Sequence, residues 1–173
     1  LTMVSVFLLH GANFLTLRLE GELRDRARQA ARKVYWAAAG TVVLLAVSTY
    51  IYTDLSTKIG VNPGIVPIAA VAVLLFSIYF INRRDEAWAF AFTALHIALV
   101  QVGFFTLMFP RLMVSSSNPA WSLTIYNASS SQYTLGVMSI VALIFLPIVL
   151  AYQAWTYYVF RRRITASRES LVY

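Results

Sequence analysis

The sequence has 173 residues, of which 60% are hydrophobic, 14% are aromatic and 12% are charged. A soluble domain carries about twice that share of charged residues, so the composition excludes an ordinary soluble protein. The chain has no cysteine, which excludes disulfides, iron–sulfur clusters and thiolate ligands to haem.

Five long segments are almost free of charge and predict five membrane-spanning helices, at about 1–17, 34–53, 63–82, 87–109 and 134–160. About 20 apolar residues, rising roughly 1.5 Å each, cross the ~30 Å hydrocarbon core of a bilayer. We therefore predict an all-α integral membrane protein that forms a single transmembrane domain over 1–173. The first span has no signal-peptide features and begins inside a helical pattern, so we expect a fragment whose amino-terminal part is missing.

A dense run of charge from 18 to 33 follows the first span. Glu20 and Arg24 are four residues apart, as are Glu22 and Arg26, and each acid precedes its base, which is the favourable order in a helix. We expect the first helix to continue through this stretch and project from the membrane.

The later connections differ in length. The sequence "NRRDE" at 82–86 is a tight turn and predicts that the third and fourth spans are antiparallel neighbours. The connection at 110–133 is much longer, and a loop of that length usually has a function or packs on something. We expect it to pack over the outer face of the bundle.

The net charge of +7 could indicate a nucleic-acid partner, but the positions of the basic residues argue against one. Of the 14 Lys and Arg residues, all but Lys58 and Arg111 fall on one side of the membrane when successive connections alternate. The positive-inside rule makes that side cytoplasmic and places the carboxyl terminus there. The basicity is explained by topology, and we expect no nucleic-acid partner.

The two histidines, His10 and His96, both lie within predicted spans and are the haem-ligand candidates. Counted from the inner ends of their spans they lie roughly 10 Å and 14 Å deep, close enough for one haem iron to bridge them. The alternative is an interhelical hydrogen bond or a proton-path residue, because intramembrane polar groups face the bundle interior in either case. Asn13 shares a helix face with His10 and suits polar contact between helices.

Gln101 and Gln153 are intramembrane amides, and such residues more often hold helices together than bind a ligand. The sequence has no phosphate-binding glycine loop, no His/Glu metal motif and no nucleophile–base pair. We therefore predict no catalytic residue and no metal ligand in this chain.

Two stretches resemble a known family. "HGANFLTLRLEGELRDRAR" (10–28) is similar to the start of the second half of cytochrome bd-type quinol oxidase subunit II, with its Gly-Ala pair and Leu-Glu-Gly triplet. The region 109–164 shows the family's outer Pro, then Ser-Leu-Thr, Ala-Ser-Ser and Thr-Leu, a Pro in span five and Tyr-x-x-Trp-x-Tyr before the basic tail. Trp121 and Arg162 depart mildly from the family, in which the residues at these two positions are often smaller.

The resemblance implies an architecture. Subunit II is built from two four-helix bundles plus a peripheral helix, and this chain looks like the second bundle followed by that peripheral carboxyl-terminal helix. It would thus be the second half of a larger subunit, in the plasma membrane of a bacterium or archaeon.

The resemblance also implies a role. The chain would belong to a haem-free subunit of a terminal oxidase that oxidises quinol and reduces oxygen in the aerobic respiratory chain. In the family, haems b and d and the quinol loop belong to subunit I. Subunit II stabilises that partner, contributes to proton and oxygen access, and in some members holds a structural quinone. Further candidate partners are quinol, membrane lipid and a small single-helix accessory subunit.

Two other functions stay open at this point. A self-contained bis-histidine membrane cytochrome would hold haem between His10 and His96. A small transporter would have broken helices in two matching repeats, but only the fifth span has a central proline.

Overall fold

A computed structural model describes residues 1–52 and 65–161. Within those residues the chain forms five α-helices, a short 3-10 helix and two short strands. The helices are α1 (Thr2–Arg18), α2 (Gly21–Tyr52), α3 (Ile65–Arg83), α4 (Glu86–Met108) and α5 (Gln132–Val159). The strands β1 (Arg111–Met113) and β2 (Leu123–Thr124) and the 3-10 helix (Pro119–Trp121) lie between α4 and α5. The predicted all-α membrane fold is confirmed.

Four of these helices, α2 to α5, are long and apolar enough to cross a membrane. The remaining helix, α1, has 17 residues. The observed α4 and α5 agree with the predicted spans 87–109 and 134–160 to within two residues at each end. The predicted limits at 53 and 63, the residue Lys58 and the basic tail with Arg162 lie outside the described residues.

The prediction that the first helix continues through the charged run is wrong. Helix α1 ends at Arg18, Leu19 is extended (φ −100°, ψ 157°), and a new helix begins at Gly21. Gly21 has φ +60°, a left-handed conformation that is open to glycine because it has no Cβ. Most of the charged run, from Glu22 to Lys33, therefore lies in the first part of α2, and α2 folds back along α1.

The first compact unit contains α1 to α4. Near the start of α1, Thr2 and Ser5 contact Thr41 in the middle of α2, which makes the two helices an antiparallel pair. Buried alanines on α2, including Ala31 and Ala38, let the helix backbones approach closely, as is usual inside membranes. Tyr35 is buried beside them and donates its hydroxyl to the Leu75 carbonyl of α3 at 3.0 Å.

Helices α3 and α4 form the second antiparallel pair of this unit. Phe80 packs on Trp88 close to the turn, and at the other end Val66 lies 3.5 Å from where a Cβ on Gly103 would be. The turn itself uses Arg84 at φ 63°. The prediction that "NRRDE" joins antiparallel neighbours is confirmed.

The second compact unit contains the α4–α5 loop (residues 109–131) and α5. β1 and β2 pair antiparallel with an irregular register, Arg111 opposite Thr124 and Met113 opposite Leu123. Ser131 caps α5 by accepting a hydrogen bond from the Thr134 amide. The strands were not predicted because the segments are only three and two residues long. The single domain and the packing of the loop over the bundle stay predictions.

Candidate functional site

A cluster of ion pairs joins α2 to the start of α4, and we call Arg24, Arg28, Asp25 and Glu86 the ion-pair cluster. Arg24 donates to Glu86 Oε2 at 2.6 Å, and Arg28 donates to Oε1 of the same carboxylate through Nε at 2.9 Å and also through Nη2. Arg28 Nη1 donates to Asp25 at 2.9 Å. One glutamate thus accepts from two arginines that are one helical turn apart on α2.

The side chains of this cluster are less exposed to solvent than those of an ordinary surface ion pair. The Glu86 side chain is 12% exposed, and those of Arg28 and Arg24 are 18% and 22% exposed. The predicted Glu22–Arg26 pair is also present, at 2.7 Å, but it is largely exposed to solvent. The predicted pairing of Glu20 with Arg24 is wrong because Glu20 precedes α2 and Arg24 binds Glu86 instead.

A small cavity lies beside the ion-pair cluster. Its volume is about 10 Å³, close to the space that one water molecule requires. The polar residues around it are Glu86 and Arg28 from the cluster, Arg84 from the turn, and Asn13 and Thr16 from α1. The cavity is therefore bordered both by charged groups at the helix ends and by polar groups between the helices.

Polar side chains continue along the contact of α1 with α4, and we call His10, Asn13, Thr16 and Thr93 the interhelical polar cluster. Asn13 is 2% exposed and its Nδ2 donates to the Ala89 carbonyl at 3.5 Å. Nδ1 of His10 lies 2.9 Å from Oγ1 of Thr93, and the His10 ring stacks on Phe90 at 4.5 Å. Sequence analysis had not singled out Thr93 and Thr16.

The direction of the His10–Thr93 hydrogen bond depends on the tautomer of His10. The Thr93 hydroxyl has one proton and donates it to the carbonyls of Ala89 and Phe90, at 3.1 and 2.9 Å. In the tautomer that matches this arrangement, His10 Nδ1 donates to Thr93, and Nε2 of the neutral imidazole is the acceptor. A histidine in that tautomer can accept a proton at Nε2.

His96 is held at a different place, between α4 and α3. It is 1% exposed, and its Nδ1 lies 2.7 Å from the carbonyl of Ala70. A carbonyl only accepts, so Nδ1 carries the proton here as well. The structure thus gives each of the two histidines its own partner on a neighbouring helix.

The structure does not bring the two histidines into one contact, since His10 meets Thr93 and Phe90 whereas His96 meets Ala70. A hydrogen bond from Nδ1 is compatible with ligation, since a ligating histidine usually donates its other ring proton. His96 is 1% exposed, and one face of the His10 ring stacks on Phe90. Among the described residues no group of three or more His, Cys, Asp or Glu side chains could hold a metal ion.

The two glutamines are placed differently from the histidines. Gln101 on α4 and Gln153 on α5 both have exposed side chains. Five polar residues were singled out in the sequence: His10, Asn13, His96, Gln101 and Gln153. The structure brings His10 and Asn13 together at the α1–α4 contact, whereas His96 lies between α3 and α4. Sequence analysis missed Thr93, Thr16 and the acceptor Glu86. Thr93 could have been found from its position, because it lies three residues before His96 on the same helix face.

Comparisons with known proteins place the chain in one family. The family model described as cytochrome bd terminal oxidase subunit II matches residues 1–160. The chain is 40% identical over 166 residues to cytochrome bd ubiquinol oxidase subunit 2 of Bacillus subtilis, covering 95% of this chain and 48% of that protein.

Two further relatives agree with this. Cytochrome bd-I ubiquinol oxidase subunit 2 of Escherichia coli K12 is 31% identical over 191 residues, which cover 94% of this chain and 50% of that protein. A probable cytochrome oxidase subunit 2 of Haemophilus influenzae is 31% identical over 183 residues, covering 89% of this chain and 48% of that protein. The chain thus spans about half the length of the curated relatives it matches. It belongs to the cytochrome bd terminal oxidase subunit II family and is a multi-pass membrane protein.

Proposed function

We propose that this chain is part of the second subunit of a cytochrome bd-type terminal oxidase, which oxidises a quinol and reduces oxygen to water. The observation that carries the proposal is the family match over residues 1–160. In this proposal the chain contributes no catalytic residue, the haems b and d reside in a partner subunit I, and this subunit stabilises that partner. The membrane is the plasma membrane, and the carboxyl terminus is cytoplasmic because the basic residues gather on that side.

Co-purification with a spectrum tests this assignment. The full-length protein, tagged on this subunit, should bring down a haem-containing partner, and this subunit separated from the partner should show no Soret band. A Soret band in the isolated subunit that disappears in both His10→Ala and His96→Ala would instead establish the bis-histidine cytochrome.

We further propose that the interhelical polar cluster serves proton access within that oxidase. The small cavity lies beside Asn13 and Thr16 and next to the carboxylate of Glu86. Asn13 and Thr93 both donate to the Ala89 carbonyl, and Thr93 in turn contacts His10. A proton that enters at the ion-pair cluster would therefore meet polar groups along α1 as far as His10.

His10→Gln separates proton access from a purely structural role. Glutamine can still donate to Thr93, but it does not titrate. We expect turnover of the oxidase to fall while haem content and the unfolding midpoint stay near those of the parent. The matched control is His96→Gln, which replaces the second histidine, outside this cluster, and should keep turnover. Unchanged turnover in His10→Gln would show that His10 only holds the helices together.

A further inference from the structure

The α4–α5 loop combines exposed apolar side chains with an almost complete lack of charge. Arg111 is its single charged residue, and no residue from Leu112 to Phe160 is charged. Trp121 is 69% exposed, Tyr126 is 77% exposed and Met113 is 65% exposed. A loop of a soluble surface would carry charged residues at such positions.

Several polar groups of the loop backbone are paired within the loop. The Ile125 amide donates to the Pro110 carbonyl at 2.9 Å, and the Ala128 amide donates to the Thr124 carbonyl at 3.0 Å. Asn127 accepts from the Thr124 amide at 2.6 Å and donates to the Ser122 carbonyl at 3.2 Å. A segment with internally paired backbone groups can leave bulk water at low cost, whereas each unpaired group costs several kcal/mol in lipid.

The loop also begins and ends at a membrane boundary. It joins α4 to α5, and both helices are long and apolar enough to cross a membrane. Its 23 residues therefore connect directly to a membrane-spanning helix at each end. Trp and Tyr are the residues that favour this depth, because each has an apolar ring and a polar group.

We propose that the α4–α5 loop docks on the lipid surface, with Met113, Trp121 and Tyr126 inserted at the boundary between headgroups and acyl chains. The lipid is recognised by apolar contact rather than by charge, since the loop has one basic residue and no acidic residue. Docking should therefore be insensitive to salt and to the content of anionic lipid. The surface would anchor the connection between the last two spans.

Spin-label accessibility tests the proposal on the complete protein in nanodiscs of phosphatidylcholine. This chain has no cysteine, so Met113→Cys and Tyr126→Cys each add one labelling position to it, with labelling of the parent protein as the blank. The matched controls are Ser116→Cys and Ser129→Cys, which change small exposed positions of the same loop. The readout is the ratio of collisions with oxygen, which concentrates in lipid, to collisions with a water-soluble nickel chelate.

We expect this ratio to be several-fold higher at positions 113 and 126 than at 116 and 129, at low and at high salt. Equal ratios at all four positions would place the loop in water and overturn the proposal. Exclusion of both reagents at 113 and 126 would place a protein surface over the loop and overturn it as well. Normal elution of each variant on size exclusion shows that the variants are folded.

Discussion

The ion-pair end of the bundle and the α4–α5 loop both close the ends of apolar helices, and they do so by different means. At the ion-pair end, Glu86 is linked to Arg24 and Arg28 across sequence separations of 62 and 58 residues. In the loop, hydrogen bonds such as those of Asn127 join residues three to five apart. The first arrangement joins helices to one another, whereas the second stabilises one segment by itself.

The difference has a physical cause. Charged side chains that are partly withdrawn from water need partners, and at helix ends those partners come from other helices. A neutral segment needs only to satisfy its own backbone, which nearby Asn, Ser and Thr side chains can do. Loss of one charged partner should therefore affect the whole bundle, and loss of one loop hydrogen bond should remain local.

The largest effect is expected for Glu86→Gln. Removing this charge leaves two largely buried arginines, Arg24 and Arg28, without their shared carboxylate, and breaking such pairs costs about 3 kcal/mol. The unfolding midpoint of the complete protein in detergent should fall accordingly. Glu22→Gln is the matched control, because its exposed pair with Arg26 should contribute less than about 1 kcal/mol. Equal effects in the two variants would mean that the ion-pair cluster does not join the helices.

A smaller effect is expected for Thr93→Val, which removes a buried hydroxyl with little change of shape. His10 Nδ1 would lose its acceptor at the α1–α4 contact, at a cost of about 1 kcal/mol. The same unfolding assay measures it. Thr106→Val is the control on the same helix, since the exposed Thr106 hydroxyl donates to the Val102 carbonyl of its own helix. If the control destabilises the protein as much, the His10 contact contributes nothing to stability.

The smallest global effect is expected for Asn127→Ala in the loop. The variant loses the bond to the Thr124 amide and the bond to the Ser122 carbonyl. Hydrogen exchange of the Thr124 amide should accelerate about tenfold, while the unfolding midpoint stays within error. Asn127→Asp keeps the acceptor and should protect the amide. A fall in the global midpoint for Asn127→Ala would show that the loop also supports the bundle.

Some features of the chain could be predicted locally and others could not. The end of α4 and the limits of α5 followed from hydropathy, because a run of apolar residues can satisfy its backbone in lipid only as a helix. The break at Leu19 was missed, since the charges from 18 to 33 have helical spacing and only the conformation of Gly21 ends that pattern. The pairing of Arg24 was missed for a related reason, because its partner lies 62 residues away.

In the candidate site, too, some features could be predicted from the sequence and others could not. His10, Asn13 and His96 stand out in the sequence because polar groups are rare within apolar spans. Which of them meet depends on how the helices pack, and no periodicity within one helix contains that information. Thr93 became the partner of His10, and Ala70 became the partner of His96, because α4 faces α1 at one position and α3 at another.

The amino-acid sequence by itself determined that this chain is a helical membrane protein, and its motifs indicated the subunit II family. Composition and hydropathy act within each segment, and so they need no knowledge of the neighbours. Only the tertiary structure decided that α2 turns back along α1, that Glu86 joins two arginines, and that the histidines occupy separate contacts. Those outcomes depend on which helix surfaces fit together, and that is a property of the packed bundle as a whole.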